Sequence, residues 1–198
     1  IVTSSNTDTY SAISAAIGSL KGPLHGGANA AVMGMIHDIQ ENVRDINDND
    51  EMSAYLDKLL EGEAGDRSGK LYGIGHAVYT MSDPRAIILK KFIRELAEEQ
   101  GGSDEFVVAQ KVEELGVPKL MARKHMTVPI YANVDLYSGI VYSMLGIPED
   151  LYTPLFAVAR ISGWCAHRLE ELITGAKLIR PAYRSAVYHR PYVPIDER

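Results

Sequence analysis

The chain has a single cysteine, Cys165, among 198 residues. It therefore cannot close an internal disulfide, which fits a reducing compartment. There is no CxxC and no HExxH, and His37, His125, His167 and His189 show no ligand spacing, so no metal is expected. Cys165 and His167 are two apart, on different faces of a helix, and make a poor nucleophile pair. No apolar run approaches a membrane span and no signal peptide is evident, so a soluble, cytoplasmic protein without a membrane partner is expected. Positive charge is in short supply: 20 Lys and Arg against 26 Asp and Glu leave a net charge of −6, which argues against nucleic-acid binding. Gly73 and Gly75 form a Gly-x-Gly that no GxGxxG continues, so a dinucleotide fingerprint is missing. No strand run and no internal repeat stands out. The first residue is Ile1 rather than Met, from which the chain is expected to be processed or part of something longer.

What is present is helical punctuation. With 46% apolar and 23% charged residues the chain can bury a sizeable core, and its class is read as all-α and multihelical. Thr7 or Asp8 can cap a first helix of small residues, which the Gly- and Pro-rich residues 21–27 break. A second helix is expected from Ala28 to Asn42, with Val32, Met35, Ile36 and Ile39 on one face. Met52, Tyr55, Leu56 and Leu59 mark a third, stopped near Gly62. Asp83-Pro84 opens the clearest helix, to Gln100, with an apolar face of Ile88, Leu89, Phe92, Ile93 and Leu96. Ser103 caps another, from Asp104 to Leu115, ended by Gly116, and residues 118–125 read as a short separate piece. Residues 127–134 read as an extended connector, after which Asp135 caps a helix stopped by Gly146. Thr153-Pro154 starts a helix to Thr174 that is apolar nearly all round through Trp164, which implies burial in a larger body. From Arg180 onward an extended tail is expected.

Several residues carry two open readings. His25 stands just before a helix start, where the unpaired N–H groups favour neutral imidazole, able to donate to a developing oxyanion; it is equally a turn residue made by Gly26-Gly27. Asp135 is a base if partly desolvated, and otherwise a structural cap. His76 sits in a glycine loop, where function concentrates. Arg85, Arg160 and Arg180 are surface ion-pair residues or carboxylate binders. Arg160 interrupts an apolar helix, and a buried Arg needs an anionic partner. Lys90-Lys91 and the acidic residues 45–51 read as solvated faces.

Five motifs, in order and covering essentially the whole chain, then come together: GPLHGGAN at 22–29; GIGHAVY at 73–79 with Asp83-Pro84-Arg85; ANVDLYSG at 132–139; residues 156–160 with Gly163-Trp164; and Ile179-Arg180-Pro181. With them the chain closely resembles the C-terminal half of a bacterial-type citrate synthase. The resemblance implies that family's multihelical fold, with residues 1–26 and 147–198 in the large domain and 27–146 in the small, CoA-binding domain. It implies condensation of acetyl-CoA with oxaloacetate, then thioester hydrolysis to citrate and CoA, with no cofactor, the CoA thioester being a substrate. Asp135 would remove the methyl proton, His25 would hold the enol oxygen, and His76 would polarise the ketone. Arg85, Arg160 and Arg180 would pair with substrate carboxylates, Arg180 reaching across a homodimer. Leu71, Tyr72, Gly73, Ile74 and Gly75 would meet CoA.

Two departures stand out. The family's oxaloacetate-binding histidine upstream of this segment, with most of the large domain, is missing, so the 198-residue chain alone is expected to be inactive. Thr80 stands where some members carry an arginine near CoA phosphate. Two alternatives remain: 2-methylcitrate synthase, using propionyl-CoA, and a non-catalytic acyl-CoA or dicarboxylate binding module.

Overall fold

The computed structural model describes every residue except Leu24, Thr80, Ala176 and Ser185. Among the described residues it is all-α: α1 Thr9–Leu20, α2 Ala28–Asn42, α3 Asn49–Glu61, α4 Pro84–Gln100, α5 Asp104–Lys111, α6 Val117–Arg123, α7 Val134–Met144 and α8 Tyr152–Thr174. The one β feature among them is an isolated antiparallel bridge, Ile74 to Ala132. Among the described residues no helix is long and apolar enough to cross a membrane.

Two compact units form, Ala16–Ile161 and Ile1–Ala15 with Ser162–Arg198. The core of the first is built from the expected face of α2 (Val32, Met35, Ile36, Ile39) and from Met52 and Leu56 of α3, Ile93 of α4, Val108 of α5, and Leu136, Tyr137 and Ile140 of α7. In the second unit the Arg168 guanidinium is buried and donates to the carbonyls of Thr7 (2.5 Å) and Thr3 (3.3 Å). Ser4 accepts from the Ile179 N–H at 3.0 Å.

Helix ends follow the punctuation. Asp48 caps α3 by accepting from the Asp50 and Glu51 N–H groups, and Gly62 ends that helix at φ 76°. Asp83 caps α4, Pro84 fills its first turn, and Gly101 ends it at φ 87°. Five expectations need correction. First, Ile88 and Phe92 of α4 are exposed, because the stripe turned to the core is Ala86, Leu89 and Ile93. Second, Gly116 does not end a helix. The chain passes from α5 through a wide π turn, Val112–Gly116, into α6. That turn relieves the clash Pro118 would make with the carbonyl four residues back. Gly116 packs closely there: a Cβ would lie 2.7 Å from Leu71 Cδ1 and oblige that side chain to shift. Third, Thr153 is not a cap: α8 begins at Tyr152, and the Thr153 hydroxyl donates to the Gly26 carbonyl at 2.9 Å. Fourth, Arg160 is exposed and has no anionic partner among the described residues; the buried arginine of α8 is Arg168, satisfied by carbonyls. Fifth, Lys90 is not a solvated lysine but pairs with Glu113 at 2.7 Å. The apolar surface of α8 is largely uncovered, with Val158 71% and Ile173 82% exposed.

Candidate active site

Four segments of the Ala16–Ile161 unit converge on one cavity of about 550 Å³, lined by His25, His76, Arg85 and Asp135 together with Asn29, Ser138 and an apolar wall including Leu89, Tyr142 and Phe156. His25 arrives on a tight turn, its own N–H donating to the Gly22 carbonyl at 2.9 Å. Gly26 makes this turn possible, because a Cβ there would meet the Leu20 carbonyl oxygen at 2.1 Å. The His25 ring is exposed, three residues before α2 begins.

Asp135 is not the cap of α7. That role belongs to Asn133, whose side-chain oxygen accepts from the Asp135 N–H at 2.9 Å while its amide donates to the Gly75 carbonyl at 2.8 Å. Both residue types favour the position, but Asn133 is the one with extended backbone. Asp135 is thereby left in the first turn with a carboxylate that accepts no hydrogen bond among the described residues. Burial pushes this carboxyl above its ordinary range; nearby Arg85 opposes the rise, Asp83 adds to it, and His76 and His25 oppose it further.

His76 is held by its own loop. Its Nδ1 accepts from the N–H groups of Val78 (3.0 Å) and Tyr79 (3.2 Å). An Nδ1 that accepts twice carries no proton, so the ring proton sits on Nε2. Arg85 Nη2 lies 3.4 Å from that Nε2. Two N–H donors side by side have nothing to give each other; an oxygen acceptor between them would satisfy both. The Tyr79 ring supports the pair, with its centroid 4.7 Å from that of His76 and 5.4 Å from the Arg85 guanidinium carbon.

Arg85 is fixed by Asp83, which is 2% exposed. Asp83 Oδ1 accepts from the Arg85 N–H and Nε, each at 3.0 Å, and Oδ2 from Nη2 at 2.9 Å and from the Val134 N–H at 3.0 Å. Burial works against the charged form of Asp83, yet the Arg85 hydrogen bonds and charge hold its carboxyl below the usual range. One carboxylate thus caps α4, orients Arg85 and joins α4 to the start of α7.

Gly73–Gly75 is spliced to the strand-like residues before α7: Gly75 N–H donates to Tyr131 O (2.7 Å) and Asn133 N–H to Gly73 O (2.8 Å). Gly73, at φ 78°, lies so close to α7 that a Cβ would stand 2.7 Å from Leu136 Cβ. Leu71 is buried in the core, whereas Tyr72 lines a second cavity of about 300 Å³ with Lys70, Asp66 and Asp38. Arg160 is exposed and does not line the larger cavity; Arg180 is exposed within the other unit. Leu24 of the first motif and Thr80 lie outside the described residues. Asn133, Asn29 and Ser138 were not singled out from the sequence. The signal for Asn133 was its position two residues before Asp135; Asn29, in the first turn of α2, and Ser138, one helical turn after Asp135, donate and accept a hydrogen bond between α2 and α7.

The family model for the citrate synthase C-terminal domain matches residues 1–182. The chain is 40% identical to citrate synthase of Synechocystis, over 100% of its own length and 46% of that protein's. It is also 40% identical to 2-methylcitrate synthase 1 of Corynebacterium glutamicum, over 100% of this chain and 47% of the relative. Among solved structures, the ternary complex of Thermoplasma acidophilum citrate synthase with carboxymethyl coenzyme A and oxaloacetate is 37% identical, with a TM-score of 0.71 over 98% of this chain and 48% of that one. The chain spans about half the length of the curated relatives it matches. It belongs to the citrate synthase family, and the part of the family it represents is the C-terminal domain.

Proposed function

We propose that the full-length protein condenses acetyl-CoA with oxaloacetate and hydrolyses the thioester, releasing citrate and CoA. The observation that carries this reading is the donor pair of His76 and Arg85, facing, in one cavity with His25, a partly buried Asp135 carboxylate that accepts no hydrogen bond. Asp135 takes a proton from the acetyl methyl, and a carboxyl pushed upward is the better base for it. The electron pair moves onto the thioester oxygen, which His25 holds; a prepositioned donor there is worth about 3 kcal/mol. The enol carbon then attacks the ketone, whose oxygen draws on the Nε2 proton of His76, while Arg85 binds a carboxylate in the planar manner of guanidinium. Arg160 and Arg180 bind the remaining carboxylates, Arg180 from the neighbouring subunit of a homodimer. Residues 71–75 and the adjoining second cavity receive the nucleotide end of CoA. No cofactor is required, and the cytoplasm supplies both substrates.

The test is Asp135→Asn in the full-length protein. Citrate formation falls by at least about 100-fold, while the thermal midpoint stays near the parent's, since the carboxylate makes no hydrogen bond among the described residues. Near-parental turnover refutes the assignment. The similarity to a 2-methylcitrate synthase, equal in identity, supports a second reading in which propionyl-CoA is the substrate. One methylene in an apolar pocket changes kcat/KM by roughly 10- to 200-fold, so the ratio for the two thioesters decides between them.

A further inference from the structure

Within the Ala16–Ile161 unit, outside the cavity lining, three polar side chains from three elements meet. Glu113, in the π turn, accepts from Lys90 Nζ at 2.7 Å and from the Tyr137 hydroxyl, both with the same oxygen, Oε2. Lys90 Nζ also stands 5.2 Å from the centre of the Tyr137 ring. Tyr137 is fully buried, so its hydroxyl needs this acceptor.

The sequence positions give the cluster its meaning. Lys90 lies on α4, five residues after Arg85; Tyr137 lies on α7, two residues after Asp135. The cluster therefore ties together the two helices whose first turns carry the guanidinium and the carboxylate. We propose that Glu113 is a positioning residue: by holding Lys90 and Tyr137 to one carboxylate oxygen, it sets the separation of Arg85 from Asp135. An apolar cluster of the same volume would hold α4 against α7 as firmly. What the polar one adds is direction, since a shared oxygen fixes both donors at hydrogen-bond length. The π turn serves this by aiming Glu113 at both helices, at the cost of regular helical bonding.

The proposal rests on the acid–base reading of Asp135. The groups facing that carboxylate are Arg85 and Asp83 at the start of α4, His76 on its loop and His25 before α2. Of these, Arg85 is the strongest influence toward the charged form. If Glu113 sets its distance, losing Glu113 lets Arg85 retreat, and Asp135 holds its proton to higher pH. Such a retreat moves the acid limb of kcat/KM upward, and a misplacement of about 1 Å lowers kcat roughly 10- to 100-fold.

The experiment compares full-length parent, Glu113→Leu, and the apolar triple variant Lys90→Met, Glu113→Leu, Tyr137→Phe; leucine removes the shared acceptor oxygen altogether. Both variants are expected to show the raised acid limb and reduced kcat, while the triple variant keeps a thermal midpoint close to the parent's. A parental limb and parental kcat in either variant overturn the proposal. Failure of the parent to make citrate instead overturns the functional reading. In that event the crystal structure of the triple variant decides, supporting the proposal by a widened Arg85–Asp135 separation and refuting it by an unchanged one.

Discussion

Replacing Asp83 by Ala removes, in one step, an N-cap, an ion pair and a link between two helices. Its four accepted hydrogen bonds come from the Arg85 N–H, Nε and Nη2 and from the Val134 N–H. Loss of the cap costs about 1 kcal/mol. The Val134 N–H, left without its acceptor in a partly buried position, adds about 1–2 kcal/mol. The Arg85 side chain is 43% exposed, so water takes up much of its charge, and the pair itself contributes under about 1 kcal/mol. The sum is roughly 3 kcal/mol, read as a lower denaturant midpoint at neutral pH. The pH dependence has a definite sign. The folded state keeps Asp83 ionised to lower pH than the unfolded chain does. Its stabilisation is therefore fully present above the ordinary carboxylate range and disappears as pH falls through the depressed folded value. The gap between parent and Asp83→Ala should be widest near pH 7 and narrow below about pH 4. A loss under about 1 kcal/mol at pH 7, or a gap that does not change with pH, refutes the reasoning.

Two further substitutions probe the packing around the site. Asn133→Ala removes the cap of α7 and the bond to the Gly75 carbonyl, and should lower stability by about 2 kcal/mol; Asn133→Asp, which keeps the cap but cannot donate, should recover about half in the same denaturation assay. Gly139→Ala places a methyl 2.6 Å from Asn29 Oδ1 and 2.7 Å from Met33 Sδ, so α2 and α7 are pushed apart at a cost of about 1–3 kcal/mol. A thermal midpoint unchanged in Gly139→Ala would show that Met33 yields freely.

Much of this arrangement could be read from residue order because the helix ends are written in side chains. Pro84–Gln100 has Asp83 before it and Gly101 after it, and Ala28–Asn42 follows a glycine pair. The residues gathered around the cavity (His25, His76, Arg85 and Asp135) were each visible as a helix-start or glycine-loop residue. What was hidden depended on competition between similar residues. Asn133 and Asp135 are both good caps, and the backbone at Asn133 decides for it. Arg160 and Arg168 are both arginines on α8, and the buried one is the one near main-chain carbonyls that no sequence pattern brings to mind. Lys90 looks like a surface lysine beside Lys91 until Glu113 arrives from 23 residues away. Gly116 followed by Pro118 is the usual sign of a helix end, but the turn is packed into the core, with Val112 buried and Gly116 against Leu71 and Leu56, and the chain passes through.

The bridge between Ile74 and Ala132 bears on how such a cavity can open. Its hydrogen bonds, with that from the Asn133 amide to the Gly75 carbonyl, tie the backbone beside His76 to the backbone that leads into Asp135. Asp83 adds a third tie, from the α4 start to Val134. His76, Arg85 and Asp135 are therefore mounted on one chassis of backbone and carboxylate ties. His25, on its separate turn, is not riveted to them by any of these bonds. On the proposed mechanism, the ketone's polariser, the guanidinium and the base keep their spacing through these short ties, whereas the enol oxygen's holder is placed against them only through the packing of α2 on α7.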